Sequence, residues 1–173
     1  MKRLSLFAAA LALFAAGCSS SSSAPTTTSP TQPTFTAALS TANEVPPITN
    51  SEAGGTGTAT ITINVTKDAA GNILTASTTF VVNLSGFPAG TPINIAHIHT
   101  GAAGVAGGVL VNTTLAPGSV VLTNGSGSFT AVQPVVLPEV AQAIINNPAG
   151  YYFNVHSTLN SGGVARGQLV KVP

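Results

Sequence analysis

Charged side chains are scarce in this chain of 173 residues, which has only five lysines and arginines and four aspartates and glutamates. A protein so poor in cations cannot neutralise a row of phosphates, and this argues against nucleic acid as a partner. No paired carboxylates and no Ser-His-Asp order stand out among the few titratable groups, so hydrolytic chemistry is disfavoured. The composition therefore favours a binding protein over a hydrolase.

Cysteine is almost absent as well. The single cysteine, Cys18, leaves no partner for a disulfide within the chain, so stability has to come from an apolar core. A basic start (residues 1–3), a short apolar run (residues 4–16) and small residues precede Cys18, in the pattern of an export signal that is too short to span a membrane. The segment Ala15-Ala16-Gly17-Cys18 resembles the lipobox of bacterial lipoproteins.

This beginning predicts a lipoprotein signal peptide over residues 1–17 and lipidation of Cys18. The protein would then be anchored to a bacterial membrane in the cell envelope, with its domain in the periplasm or on the cell surface. The alternative is an ordinary secretory signal in which Cys18 is incidental. Cleavage would leave three positive and four negative side chains, so the mature protein would be close to neutral.

Residues 18–34 consist largely of Ser, Thr and Pro and bury too little apolar surface to fold, so we expect a disordered tether there. Residues 35–173 are long enough for one domain with a real core. Their pattern is that of strands: from Gly57 to Val65 apolar and polar residues alternate with a period of two. A turn over residues 67–72 and a returning strand, with Leu74, Phe80 and Leu84 on its inner face, predict a hairpin.

Further strands are expected over residues 35–41, 93–99, 108–115, 119–123, 128–132, 151–156 and 164–172. Asn124-Gly125 suits a tight primed turn in which both residues have positive φ. One segment, Pro138 to Ile145, has helical spacing and a proline placed for the first turn of a helix. The whole predicts an all-β fold: an antiparallel Greek-key β-sandwich or barrel with one short helix.

All three histidines lie in two of these predicted strands. His97 and His99 share a face of one strand, with Cα atoms about 6.5–7 Å apart, so both imidazoles can reach one ion. Ile93 and Ile95 would share that face. His156 lies with Tyr152 and Asn154 on the face of another strand that is opposite to the apolar residues, and Arg166 lies on the last strand.

At these residues the chain resembles the CHRD (chordin) domain family, in its bacterial lipoprotein form. The resemblance covers residues 35–172 and is carried by ordered motifs: Leu39-Ser40-Thr41-Ala42-Asn43-Glu44-Val45-Pro46-Pro47, Ala96-His97-Ile98-His99-x-Gly101, Tyr152-x-Asn154-Val155-His156 and Gly162-Gly163-x-x-Arg166-Gly167-Gln168. The acidic residue that the family often has just before the arginine is missing. Bacterial members are mostly exported proteins of undefined role, so the family implies little about chemistry.

The order His97, His99, His156, Arg166 is also similar to that in Cu/Zn superoxide dismutase, whose fold is an antiparallel Greek-key sandwich. The bridging histidine, the zinc-ligand carboxylate and the disulfide of that enzyme have no counterparts here. The similarity therefore implies a superoxide-dismutase-like outline and, at most, a copper-only site.

Three functions remain open. The first is a lipid-anchored, non-catalytic module for binding or adhesion, with an unidentified protein or surface partner. The second is a metal-binding protein that uses His97, His99 and His156, with Asn154 and Arg166 around them. Imidazole ligands favour copper, and after it zinc, over magnesium or calcium. The third is a copper-only oxidoreductase in which Arg166 attracts a small anion.

The alternative to both metal functions is a structural role. The histidines can be bonded to loop carbonyls or Asn154, and Arg166 can be held by carbonyls or Glu44.

Overall fold

The computed structural model describes residues 32–173. The predicted signal peptide, the lipidation of Cys18 and most of the predicted tether lie outside these residues. The first strand begins at Thr34, one residue before the predicted start of the domain at residue 35. Among residues 32–173, no helix has the length and the apolar character needed to span a bilayer.

Within residues 32–173, alternating apolar and polar residues produce ten strands. Their bounds are β1 (Thr34–Ser40), β2 (Thr56–Lys67), β3 (Ile73–Ser85), β4 (Thr91–Thr100), β5 (Val109–Asn112), β6 (Val120–Leu122), β7 (Gly127–Val136), β8 (Tyr151–Ser157), β9 (Ala165–Gln168) and β10 (Val170–Lys171). One helix, α1 (Pro138–Asn146), lies between β7 and β8. The predicted last strand, residues 164–172, is divided into β9 and β10. The predicted strand over residues 108–115 is only the four residues of β5.

All pairings are antiparallel, and the strands form one sheet in the order β5-β4-β8-β9-β1-β2-β3-β7. The two edge strands approach each other: the Gln133 side chain donates to the Asn112 carbonyl at 3.4 Å, and the Val132 N–H donates to Thr114 Oγ1 at 3.4 Å. The sheet is therefore a nearly closed barrel, and the all-β prediction with one helix is confirmed. The β3–β4 and β7–β8 connections join strands that are not neighbours in the sheet.

One core fills the barrel. Phe80 of β3 and Phe153 of β8 are fully buried and stack with ring centroids 5.5 Å apart, which joins opposite parts of the sheet. The helix covers part of this core with Ala141 and Ile144, and its proline occupies the first turn, where an N–H would have no partner within the helix. The predicted β2–β3 hairpin forms, and the Asp68 carboxylate accepts bonds from the N–H groups of Ala70 and Asn72 in its turn.

Three local predictions are wrong. Leu74 was predicted to lie on the inner face, but it is 58% exposed. It is the second residue of β3, at the hairpin end of the strand, where the barrel core does not cover it. The register of β4 shifts between Ile93 and Ile95, so Ile93 enters the core with Ala96 and Ile98, away from the histidine face. In the turn after β6, Gly125 has φ 74° but Asn124 does not have positive φ, so the turn is not of the primed type.

Candidate metal centre

The histidines lie on the outer face of the barrel, on β4 and β8, and Arg166 lies beside them on β9. Core residues such as Ile98, Phe153 and Ala165 alternate along these strands with residues that point outward. The pairing register places His97 opposite Asn154, and Asn154 opposite Arg166. We name this outward-pointing set the covered face: His97, His99, Tyr152, Asn154, His156 and Arg166.

Loops bury the covered face, although it lies outside the barrel. Its six residues are between 2% and 7% exposed. Three connections supply the contacts that cover it: residues 41–55 before β2, residues 101–108 between β4 and β5, and residues 158–164 between β8 and β9. The prediction that His156 lies on a non-core face is right about direction, but the side chain is not open to solvent.

The three imidazoles come together in one cluster. One nitrogen from each of His97, His99 and His156 lies within 4.8 Å of the other two, so small shifts of the side chains would bring all three to a single ion. His97 Nδ1 and His156 Nε2 are 3.2 Å apart. The ring centroid of His97 is 5.4 Å from that of His99 and 4.9 Å from that of His156. Residues 59 positions apart in the chain thus share one site.

Loop carbonyls orient two of the rings. His99 Nδ1 lies 3.0 Å from the Gly107 carbonyl, and His156 Nδ1 lies 2.8 Å from the Ser161 carbonyl. A carbonyl oxygen only accepts, so each Nδ1 carries the hydrogen, and each Nε2 keeps its lone pair. In metal sites, a ligating imidazole usually donates a hydrogen bond from its other nitrogen, and this bond fixes its tautomer. The expected bonds to loop carbonyls therefore form. They use Nδ1 of each ring and leave the lone pair of each Nε2 without a contact to these loops.

The Nε2 atom of His99 is buried and has no hydrogen-bond partner in the described part of the chain. A buried acceptor without a partner is costly, and such atoms are rare in folded proteins. His97 Nδ1 donates to the lone pair on His156 Nε2, since that nitrogen carries no hydrogen. A metal ion in the cluster would replace this hydrogen and would give His99 Nε2 a partner.

Burial lowers the pKa of all three histidines. The pKa of His97 falls to about 4, chiefly through burial and further through the charges that His156 and His99 would carry. The cluster is therefore neutral at pH 7. Neutral imidazole is the form that binds metal ions, so protons compete little for these nitrogens under physiological conditions.

Arg166 and Asn154 border the cluster. Arg166 donates from Nε to the Asn43 carbonyl at 2.6 Å and from Nη1 to the Val105 carbonyl at 3.1 Å, as expected for an arginine held by backbone carbonyls. Its guanidinium carbon lies 4.5 Å from the centre of the Tyr152 ring, and Tyr152 stacks on His99 with centroids 4.9 Å apart. Asn154 is 2% exposed, and its Oδ1 has no partner.

Sequence reasoning placed Tyr152 on the face of Asn154 and His156 without giving it a role, and it did not find the contacts made by Gly107, Ser161 or Glu52. Tyr152 separates His99 from Arg166, and its hydroxyl accepts a bond from the Gly107 N–H at 3.2 Å. Glu52 is 3% exposed and accepts from the Ser157 hydroxyl at 2.6 Å and from the Asn160 amide at 2.5 Å, which ties two of the covering loops together. The glycine-rich segment after His99 was the available signal, because its backbone passes close to the strand.

These features define a class: an all-β barrel domain with a buried histidine cluster on its outer face. A protein-family model described as the CHRD domain matches residues 35–169, and the chain belongs to this family. Searches of curated proteins and of solved structures each returned no match.

Proposed function

We propose that this CHRD domain is a metal-binding module and that His97, His99 and His156 are its ligands. The observation that carries the proposal is the convergence of three imidazoles, with one nitrogen of each within 4.8 Å of the others, in a cluster where His99 Nε2 is buried and has no partner among residues 32–173. A cluster that was only structural would have its nitrogens satisfied by the protein itself. Here the protein satisfies only the Nδ1 side of His99, whereas His156 has Ser161 on one side and His97 on the other.

Copper is the metal that we propose first, and zinc second. Within residues 32–173 the donor set holds imidazole nitrogen and neither carboxylate nor thiolate, which suits copper and zinc and disfavours magnesium and calcium. Three protein ligands would leave a further position for water or another small ligand, as in open zinc sites.

We further propose that the domain works as a non-catalytic binding module at the cell envelope, attached to a membrane through lipidated Cys18. The near-neutral charge and the few acids and bases support binding rather than catalysis. Replacement of Cys18 by Ser should release the protein from the membrane fraction. Unchanged membrane fractionation of that variant would contradict the anchor.

The second candidate function is a copper-only oxidoreductase. The observation that favours it is the position of Arg166, whose guanidinium is linked to His99 through the Tyr152 ring. Superoxide dismutation by the copper-loaded protein would support this candidate. If the copper-loaded protein lacked that activity, the non-catalytic binding module would remain as the proposed function.

A titration of metal into the purified protein tests the proposal. After treatment with a chelator, the protein should take up one equivalent of Cu(II), and of Zn(II) more weakly. His156→Ala should lower the affinity by about 100-fold or more, since one of three ligands is lost. Thr60→Ala, an exposed position on β2, is the matched control and should bind as the wild type does. Absence of uptake at micromolar metal by a folded protein would overturn the proposal.

A further inference from the structure

The ligand atoms of the histidine cluster bring no negative charge to a bound ion. Among residues 32–173, the group that could hold a metal consists of His97, His99 and His156, without a carboxylate or a thiolate. Neutral imidazoles leave a bound ion with its whole charge, which is +2 for Cu(II) and +1 for Cu(I). The oxidation state of copper therefore decides how much uncompensated charge the domain has to accommodate.

The cluster is also shielded from water. The three histidines are 6% or 7% exposed, because the loops described above cover them. The cost of taking an ion out of water rises with the square of its charge, so a buried site with neutral ligands penalises Cu(II) more than Cu(I). The number of ligands acts in the same direction, since Cu(II) prefers square-planar or tetragonal coordination and three imidazoles do not complete that geometry.

A buried cation lies close to the cluster on the same face. Arg166 is 2% exposed, and it donates to the carbonyls of Asn43 and Val105, which carry no net charge. Its guanidinium carbon is 4.5 Å from the centre of the Tyr152 ring, which stacks on the His99 ring at a centroid distance of 4.9 Å. The guanidinium carbon is therefore within about 10 Å of the His99 ring centre, and at that distance it repels a cation bound there.

The size of this repulsion depends on the charge of the ion. At about 10 Å and an effective dielectric constant of about 20, the second positive charge of Cu(II) weakens its binding by about tenfold relative to Cu(I). Glu44 interacts with the Arg166 charge, but burial raises the pKa of Glu44 to about 7, so at neutral pH it offsets only part of that charge. Among the described residues, the buried acid Glu52 bonds to Ser157 and Asn160 and to no residue of the covered face.

We propose that the histidine cluster holds copper preferentially as Cu(I), and that the buried charge of Arg166 is one cause of this preference. The inference rests on the metal site proposed above and adds the oxidation state of the bound ion. Arg166 acts through its charge and is not a ligand. Zn(II) has no monovalent form, so the same charge places it at a disadvantage to Cu(I).

Separate titrations of the two copper ions test the preference. The affinity for Cu(I) is measured without oxygen in competition with bathocuproine disulfonate, and the affinity for Cu(II) in competition with nitrilotriacetate. The dissociation constant for Cu(I) should be lower than that for Cu(II) by about tenfold or more. Equal constants, or tighter binding of Cu(II), would overturn this inference and keep the metal site. Binding of neither ion would overturn the metal site itself, and this inference with it.

Charge variants of Arg166 test the cause. Arg166→Gln removes the charge and Arg166→Lys keeps it, while Lys171→Gln removes an exposed charge on β10 and is the matched control. Voltammetry of copper-loaded Arg166→Gln should give a reduction potential about 59 mV below that of the wild type, which is a tenfold loss of the preference for Cu(I). Arg166→Lys and Lys171→Gln should stay close to the wild type. Equal shifts in both Arg166 variants would indicate a structural role and would contradict the assignment.

A further variant changes the charge near Arg166 without removing it. At pH 8 Glu44 is mostly ionised, since its pKa is about 7, and Glu44→Gln then removes a negative charge that interacts with Arg166. The reduction potential of this variant at pH 8 should be higher than that of the wild type. An unchanged or lower potential would contradict electrostatic control by Arg166, and this result is decisive even if Arg166→Gln fails to fold.

Discussion

Two outer faces of the same barrel have similar alternation in sequence and different environments in the structure. The outward residues of β2 and β3 include Thr58, Thr60 and Asn83, and all three are exposed. We name this outward set on β2, β3 and β7 the open face. The outward residues of the covered face, on β4, β8 and β9, are as polar, yet they are 2–7% exposed. The difference shows that polarity on an outward face does not by itself mean contact with water.

Connections between strands cause the difference. The turns next to the open face are short, as between β2 and β3, whereas the covered face lies under three longer connections. These connections provide backbone carbonyls at Asn43, Val105, Gly107 and Ser161, which accept bonds from Arg166, His99 and His156. Polar side chains can be buried there because the loops replace the hydrogen bonds of water.

The largest expected difference between the faces concerns Arg166. Arg166→Ala should lower the free energy of unfolding by about 3 kcal/mol, because two charge-assisted hydrogen bonds and the contact with Tyr152 are lost. Thr60→Ala on the open face should change it by less than about 0.5 kcal/mol. Urea denaturation of both variants measures this, and equal losses would show that the covered face is not stabilised by its loops.

A pair of adjacent glycines tests the loop over His99. A Cβ on Gly107 would lie 1.8 Å from the Thr100 carbonyl oxygen, whereas one on Gly108 would meet nothing within 4 Å. Gly107→Ala should therefore cost about 2 kcal/mol of stability and weaken metal binding, because the Gly107 carbonyl orients His99. Gly108→Ala should have little effect on either property. Similar thermal unfolding of the two variants would mean that residues 101–108 do not pack tightly on β4.

Acid should destabilise the covered face through its histidines. Their folded pKa values lie below the ordinary 6.5, and that of His97 is about 4. The unfolded chain thus binds more protons between pH 6.5 and 4, and the histidines make stability fall as the pH falls through this window. Glu44 acts in the opposite direction, because its pKa rises from 4.5 to about 7 and its contribution to stability falls as the pH rises.

Glu44→Gln separates the two effects. Between pH 4.5 and 6.5, the stability of this variant should increase more steeply with pH than that of the metal-free wild type, since only the histidine contribution remains. Denaturant midpoints at several pH values give the slopes. A shallower slope in the variant would contradict the assigned direction for Glu44.

The smallest expected change in the free energy of unfolding comes from a substitution on the inner face of the barrel. Thr78 is 1% exposed, and its hydroxyl has no hydrogen-bond partner, unlike the exposed threonines of the open face. Thr78→Val should raise the free energy of unfolding by about 1 kcal/mol, because it removes an unsatisfied buried hydroxyl at nearly constant volume. Thr130→Val, at an exposed position on β7, serves as the control. A loss of stability in Thr78→Val would mean that the hydroxyl is satisfied in solution.

Sequence patterns predicted the strands, the helix and the two histidine-bearing segments, because these depend on local periodicity and turn residues. Ile93 was assigned to the wrong face since a register shift in β4 has no signal in the alternation itself. The burial of His156 and the position of Tyr152 between His99 and Arg166 depend on long-range packing of loops. Such packing joins residues far apart in the chain, and periodicity carries no information about it.

The nitrogen coordination of a bound copper ion tests the central claim most directly. Electron paramagnetic resonance of the Cu(II)-loaded protein should resolve coupling to three imidazole nitrogens, and the His156→Ala variant should retain two at most. A spectrum with fewer than three nitrogens in the wild type, or one that His156→Ala leaves unchanged, would contradict a metal centre built from His97, His99 and His156.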